Sequence, residues 1–96
     1  MKESIVESRF VAEAKKAGHW QCKFTSPGTS GVPDRILIAD GEVWFVELKR
    51  PDGEPRPLQV YVQNMMRSHG AKVINLDTVE KVIQFFAYLE YQKSKL

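Results

Sequence analysis

The sequence predicts an α/β fold in which a central mixed sheet is flanked by helices, with the element order α-β-β-β-α-β-α. Three observations carry that expectation. Two short apolar stretches flank Asp40-Gly41, a strong signal for a tight hairpin. Stretches of helical composition end at Gly18 and at Gly70. A further apolar stretch, Ala71 to Leu76, lies between the second and third helical stretches, away from the hairpin.

Each element has its own reason. Ser4-Ile5-Val6-Glu7 fits a capping box, so a first helix is expected from Ile5 to Ala17. Trp20, Cys22 and Phe24 alternate with Gln21, Lys23 and Thr25, the period of a half-buried strand. Residues 26–33, SPGTSGVP, are turn formers and make a loop. Strands follow at Arg35 to Ala39 and Glu42 to Lys49. The link from Arg50 to Pro57 holds three prolines and excludes regular structure. Pro57 suits the first turn of a second helix, whose apolar stripe is Leu58, Tyr61, Val62, Met65 and Met66. After strand four, Asp77-Thr78-Val79-Glu80 reads as another capping box, opening a helix from about Thr78 to Lys93. On it Val79, Val82, Ile83 and Phe86 form the inward stripe, which leaves Phe85, Tyr88 and Leu89 as apolar surface for a partner.

At 96 residues the chain is read as a single domain, 1–96, so a symmetric two-site function needs a second copy. A composition of 43% hydrophobic and 27% charged residues argues against disorder and against membrane insertion. The apolar run Val43 to Val46 falls far short of the about twenty residues that span a bilayer. MKESIVES has no apolar leader core, and a cytoplasmic location is expected, in the host if the source is a phage. Cys22 has no partner cysteine, and His19 and His69 show no paired ligand spacing, so all three read as structural or surface residues. The net charge of +2 neither requires nor excludes a polyanion, because acids gathered at a metal site cease to repel phosphate once the metal is bound.

The hairpin carries the chemistry. With a two-residue turn at Asp40-Gly41, facing residues have numbers that sum to 81, so Asp34 faces Glu47. Like charges so placed destabilise a strand pair unless something positive sits between them. Lys49, two residues after Glu47, points to the same face. Two hard oxygen donors with room for water and phosphate suit Mg²⁺ or Mn²⁺, an ion that acidifies water and neutralises charge growing on a phosphate. Lys49 would bind the attacked phosphate or position the attacking group. The plainer alternative makes Asp34 a turn cap and Glu47 and Lys49 edge-strand charges.

GVPDR followed by VELKR resembles the signature of PD-(D/E)XK nucleases. Gly31-x-Pro33-Asp34, Glu47-x-Lys49 and a later Gln resemble its virus-type replication-repair (VRR-NUC) branch, over most of the chain from Glu7 onward. The resemblance implies a restriction-endonuclease-like core in the order already read, and adds a first-helix Glu and a Gln after the Glu-x-Lys strand to the site. Glu7 matches the first. Phe10, Val11 and Ala14 follow it at three, four and seven residues, placing it beside the buried stripe, although closing the capping box would also explain it. Gln59 matches the second, with Gln63 one turn further as its competitor.

The expected site is thus Glu7, Asp34, Glu47, Lys49 and Gln59. Asp34, Glu47 and the Leu48 carbonyl are the metal ligands, with Glu7 joining directly or through water. Lys23, Arg35, Arg50 and Arg56 are candidates for phosphate contacts. The loop through residues 26–31 is not a P-loop, and no nucleotide cofactor is expected. The resemblance further implies small stand-alone phage members that cut branched DNA, such as four-way (Holliday) junctions, as homodimers. The alternatives are a non-cleaving DNA-binding or assembly module, and a nuclease for flaps, single strands or RNA.

Overall fold

A computed structural model of the protein describes residues 2–49 and 56–95, with side chains from Ile5 onward in the first helix. The elements are α1 (Lys2–Ala17), β1 (Trp20–Lys23), β2 (Arg35–Ala39), β3 (Glu42–Leu48), α2 (Pro57–Ser68), β4 (Lys72–Leu76) and α3 (Val79–Ser94). The strands form one sheet in the order β1-β2-β3-β4. The first three are antiparallel neighbours, and β4 lies parallel to β3. A parallel return needs a crossover, which α2 supplies. The link ahead of it lies largely outside the described residues.

The hairpin forms as read. Arg35 pairs with Val46 and Ala39 with Glu42, the predicted register. Its turn has φ of 53° at Asp40 and 83° at Gly41, the two left-handed residues of a type I′ turn.

Alternation divides the sheet into two faces. Leu37, Ala39, Val46, Leu48 and Leu76 point to one face, where Val6, Phe10 and Ala14 of α1 and Val82, Phe85, Phe86 and Leu89 of α3 complete the core. Phe10 and Phe86 meet at 5.5 Å between ring centres, and Phe85 meets Trp44 edge-on at 5.1 Å. The other face carries Trp20, Ile36, Ile38, Val43, Phe45, Glu47 and Val73, by the same register. There α2 lies chiefly against β4.

Several expectations are corrected. The first helix begins at Lys2, so Ser4 lies within it and not ahead of its first turn. The cap of α3 is Thr78, whose Oγ1 accepts the Lys81 N–H at 3.0 Å, while Asp77 pairs with Lys81 at 3.0 Å. The inward stripe of α3 is Val82, Phe85, Phe86 and Leu89, rotated by roughly 60° from the expected stripe. Both stripes obey helical spacing and share Val82 and Phe86; contact with α1 and the sheet selects the second. Phe85 and Leu89 therefore belong to the core, and Ile83 and Tyr88 are exposed. Trp20 is 58% exposed, because no helix covers β1 on its side of the sheet. The expected stripe of α2 is largely uncovered too: Leu58, Tyr61 and Met65 are exposed, and the buried residues are Val62 and Gln63.

Candidate active site

The site grows from the open end of the hairpin. Asp34 directly precedes β2, and extending the register from Arg35–Val46 sets it opposite Glu47. Hydrogen bonds fix both its backbone and its side chain. Its carbonyl accepts the Phe24 N–H at 2.9 Å, and its Oδ1 accepts the Leu48 N–H at 3.2 Å. The preceding loop is held against α2 at Gly31, where φ is 91° and a Cβ would lie 3.2 Å from Leu58 and Val62 atoms. A side chain there would push the loop off the helix and displace Asp34 with it.

Glu47 is only 8% exposed. Its Oε2 accepts the Gln59 Nε2–H at 3.1 Å and lies 3.5 Å from the Lys49 ammonium. Lys49 Nζ donates to Gln59 Oε1 at 2.9 Å, so acid, amide and base close a triangle. Gln59 Oε1 also accepts the Arg56 N–H at 3.2 Å, which anchors the amide at the start of α2. Lys49 is held by its backbone as well, since its N–H bonds the Leu76 carbonyl at 3.0 Å and prolongs the β3–β4 ladder.

Burial, and next to it the Asp34 carboxylate, push the Glu47 carboxyl above the ordinary glutamate range, although Lys49 and the bonds from Lys49 and Gln59 pull the other way. The donor set fits a hard divalent cation, with two carboxylates on one face of the sheet. The Leu48 carbonyl faces the same edge of β3 as its own N–H. A strand residue sends its N–H and C=O to the same edge, and the Leu48 N–H points at Asp34, beyond the end of β2.

A pH dependence follows for the metal-free protein. A folded-state pKa above the ordinary value near 4.5 means that the native chain holds a proton the unfolded chain has lost, so stability falls as pH rises through that window. Glu47→Gln removes this slope and raises Tm at neutral pH. Thermal melts in EDTA between about pH 4 and pH 7 check it, and parallel curves for the two proteins would place the titration elsewhere.

The other expected residues fall in different places. Glu7 does not join the acids: its carboxylate bonds Arg35, whose guanidinium also donates to Gln21 Oε1 at 2.8 Å. Among the described residues no three of His, Cys, Asp and Glu gather at metal-binding distance. Arg35 is 6% exposed and points to the core face, so it is a buried anchor beside Asp34 and not a surface phosphate contact. Glu7 braces it from α1. Lys23 and Arg56 are exposed, Lys23 in a groove with Lys15 and Glu7, and Arg50 lies outside the described residues. Sequence reasoning missed Gln21 and Asn75. Asn75 interrupts an apolar strand, which was the available signal.

A sheet end carrying two opposed acids, a lysine and a bridging glutamine on an α-β-β-β-α-β-α core defines a PD-(D/E)XK nuclease of the VRR-NUC type, and the comparisons with known proteins agree. A solved structure described as a VRR_NUC domain superposes with a TM-score of 0.83 at 28% identity, over 91% of this chain and 96% of that one. The chain is also 38% identical over 79 residues to "Putative nuclease p44" of Acyrthosiphon pisum secondary endosymbiont phage 1, spanning 81% of this chain and 85% of that protein. No family model matches it. The chain belongs to the VRR-NUC nucleases, and its similarity to p44 relates it to a phage protein. Among the described residues no helix is long and apolar enough to cross a membrane.

Proposed function

We propose that the protein is a metal-dependent endonuclease that hydrolyses DNA phosphodiester bonds, with branched DNA such as four-way junctions as its substrate. The observation that carries this reading is the convergence of Asp34, Glu47, Lys49 and Gln59 at one end of the sheet. Asp34, Glu47 and the Leu48 carbonyl would hold Mg²⁺ or Mn²⁺. When bound, the ion supplies positive charge against the phosphate and acidifies water. Lys49, held in place by Glu47 and Gln59, donates to a nonbridging phosphate oxygen or orients the attacking water. Gln59 fixes Lys49, and the rigid Asp34 backbone fixes the first acid. Lys23 and Arg56 hold flanking phosphates.

Paired incision of a branched substrate needs two sites, which a C2 homodimer provides. Since Phe85 and Leu89 are internal, the surface that favours a second copy is the uncovered sheet face of Trp20, Ile38 and Val43. Self-association through such a face also shields apolar surface from water.

The test combines activity and binding. Purified protein is incubated with labelled four-way junction, flap, duplex, single-stranded DNA and RNA, with Mg²⁺, Mn²⁺ or EDTA. Cleavage of the junction with either metal and none in EDTA is expected. Independently of activity, metal at a hundred times its Kd adds about 2.7 kcal/mol of stability, roughly an 11 to 22 °C rise in Tm for a domain of this size. No rise and no cleavage with either ion would remove the metal assignment. Preferential cutting of another substrate would remove the junction, and a monomer mass on junction DNA by light scattering would remove the dimer.

A further inference from the structure

The crossover helix is held to the sheet by little apolar contact, for of its side chains only Val62 and Gln63 are buried. Apolar contact is non-directional and does not by itself fix how far a helix slides or turns. Polar contacts do. Gln63, 4% exposed, donates its Nε2–H to Asn75 Oδ1 at 2.9 Å, and Asn75 returns its Nδ2–H to Gln63 Oε1 at 2.9 Å. Each amide thus satisfies a donor and an acceptor of the other. Arg67, a turn further on, adds a bond to the Val73 carbonyl at 3.1 Å.

The location of this pair matters. Asn75 stands beside Glu47 in the parallel ladder, on the same face of the sheet. Gln59 lies four residues before Gln63, on the same side of α2. The amide pair therefore sits one step along from Gln59 on the helix and one strand across from Glu47 on the sheet. Any slide or rotation of α2 that breaks it also moves the Gln59 amide off Glu47 and Lys49.

We propose that Gln63 and Asn75 are positioning residues for the nuclease site: their reciprocal hydrogen bonds set the height and rotation of α2 and so keep Gln59 bridging Glu47 and Lys49. The inference rests on the nuclease reading above and adds to it a device that neither contacts substrate nor binds metal. A displacement of about 1 Å in such a site costs on the order of a hundredfold in rate, so the effect is kinetic as well as structural.

The test compares Gln63→Leu, Asn75→Ala and the exchange Gln63→Asn/Asn75→Gln with the unaltered protein. The readouts are cleavage kinetics, thermal melting and the side-chain amide resonances of Gln59 by NMR without substrate or metal. In each single variant kcat falls roughly 10- to 100-fold with KM within about twofold, and the Gln59 amide signals shift. The exchange conserves both amides and the total side-chain length, and it restores kcat to within about threefold. Asn75 is exposed, so Asn75→Ala keeps the fold even if Gln63→Leu does not. A folded single variant with unaltered kcat and unshifted Gln59 signals overturns the proposal. Should the unaltered protein cleave no nucleic acid, the nuclease reading fails by itself and the Gln59 resonances decide. Unshifted in Asn75→Ala, they overturn the positioning role; shifted there and restored by the exchange, they support it.

Discussion

Asp34→Asn and Glu47→Gln each abolish cleavage, by at least about a thousandfold, while the protein stays folded and binds DNA equally or more tightly. Both substitutions are isosteric and sit at the sheet's open end. Asp34 keeps an oxygen for the Leu48 N–H, and Glu47 keeps one for the Gln59 amide. What is lost is carboxylate charge. That removes affinity for a divalent cation and with it several kcal/mol of charge stabilisation at the phosphate, and about 4 kcal/mol is already a thousandfold in rate. It also removes repulsion toward the DNA backbone, so binding does not weaken. Gel-based cleavage and fluorescence anisotropy on the same substrate separate the two effects. Unaltered cleavage by either variant removes these acids from the chemistry. In the same series Lys49→Ala loses most of the rate but keeps the rise of Tm with metal, because the ammonium is not a metal ligand; if it cleaves normally, Lys49 is only an edge charge.

Phe85→Glu unfolds the protein, whereas Tyr88→Glu leaves it folded. Phe85 is buried between Trp44 and Phe86, at 5.1 and 5.4 Å between ring centres. A carboxylate there loses the aromatic contacts and is taken out of water into a largely apolar core. The combined cost exceeds about 4 kcal/mol, which at the lower end of the about 5 to 15 kcal/mol typical of a domain is nearly all of its stability. Tyr88 lies only three residues further on but is exposed, and its replacement stays within about 0.5 kcal/mol. Circular dichroism melts distinguish them. A folded Phe85→Glu protein that dissociates from dimer to monomer would return Phe85 to the surface and contradict the core assignment. The dimer itself is tested instead on the uncovered sheet face, at Trp20 and Val43.

The local chemistry of the chain determined the hairpin and, through it, the pair of acids. Asp40-Gly41 admits one tight turn, a tight turn fixes the register, and the register sets Asp34 against Glu47 with no information from elsewhere in the molecule. The order of elements was equally local, because each is bounded by its own prolines, glycines and caps. Gln59 came instead from the resemblance to VRR-NUC nucleases, which implies a Gln after the Glu-x-Lys strand, and the structure places its amide between Glu47 and Lys49.

What tertiary structure decided were the faces. Two stripes on α3 satisfy helical spacing, and only packing against α1 and the sheet chooses the one with Phe85 and Leu89 inside. The apolar side of α2 looked like core because spacing reports amphipathicity and not whether a neighbour exists to cover it; the sheet offers Asn75 to Gln63 and leaves Tyr61 to solvent. Charged residues were the hardest to place. Glu7 and Arg35 are 28 residues apart, and each alone resembles a site or surface group. Only the fold brings the Glu7 carboxylate onto the Arg35 guanidinium, where mutual neutralisation lets an arginine be buried next to the first acid of the site.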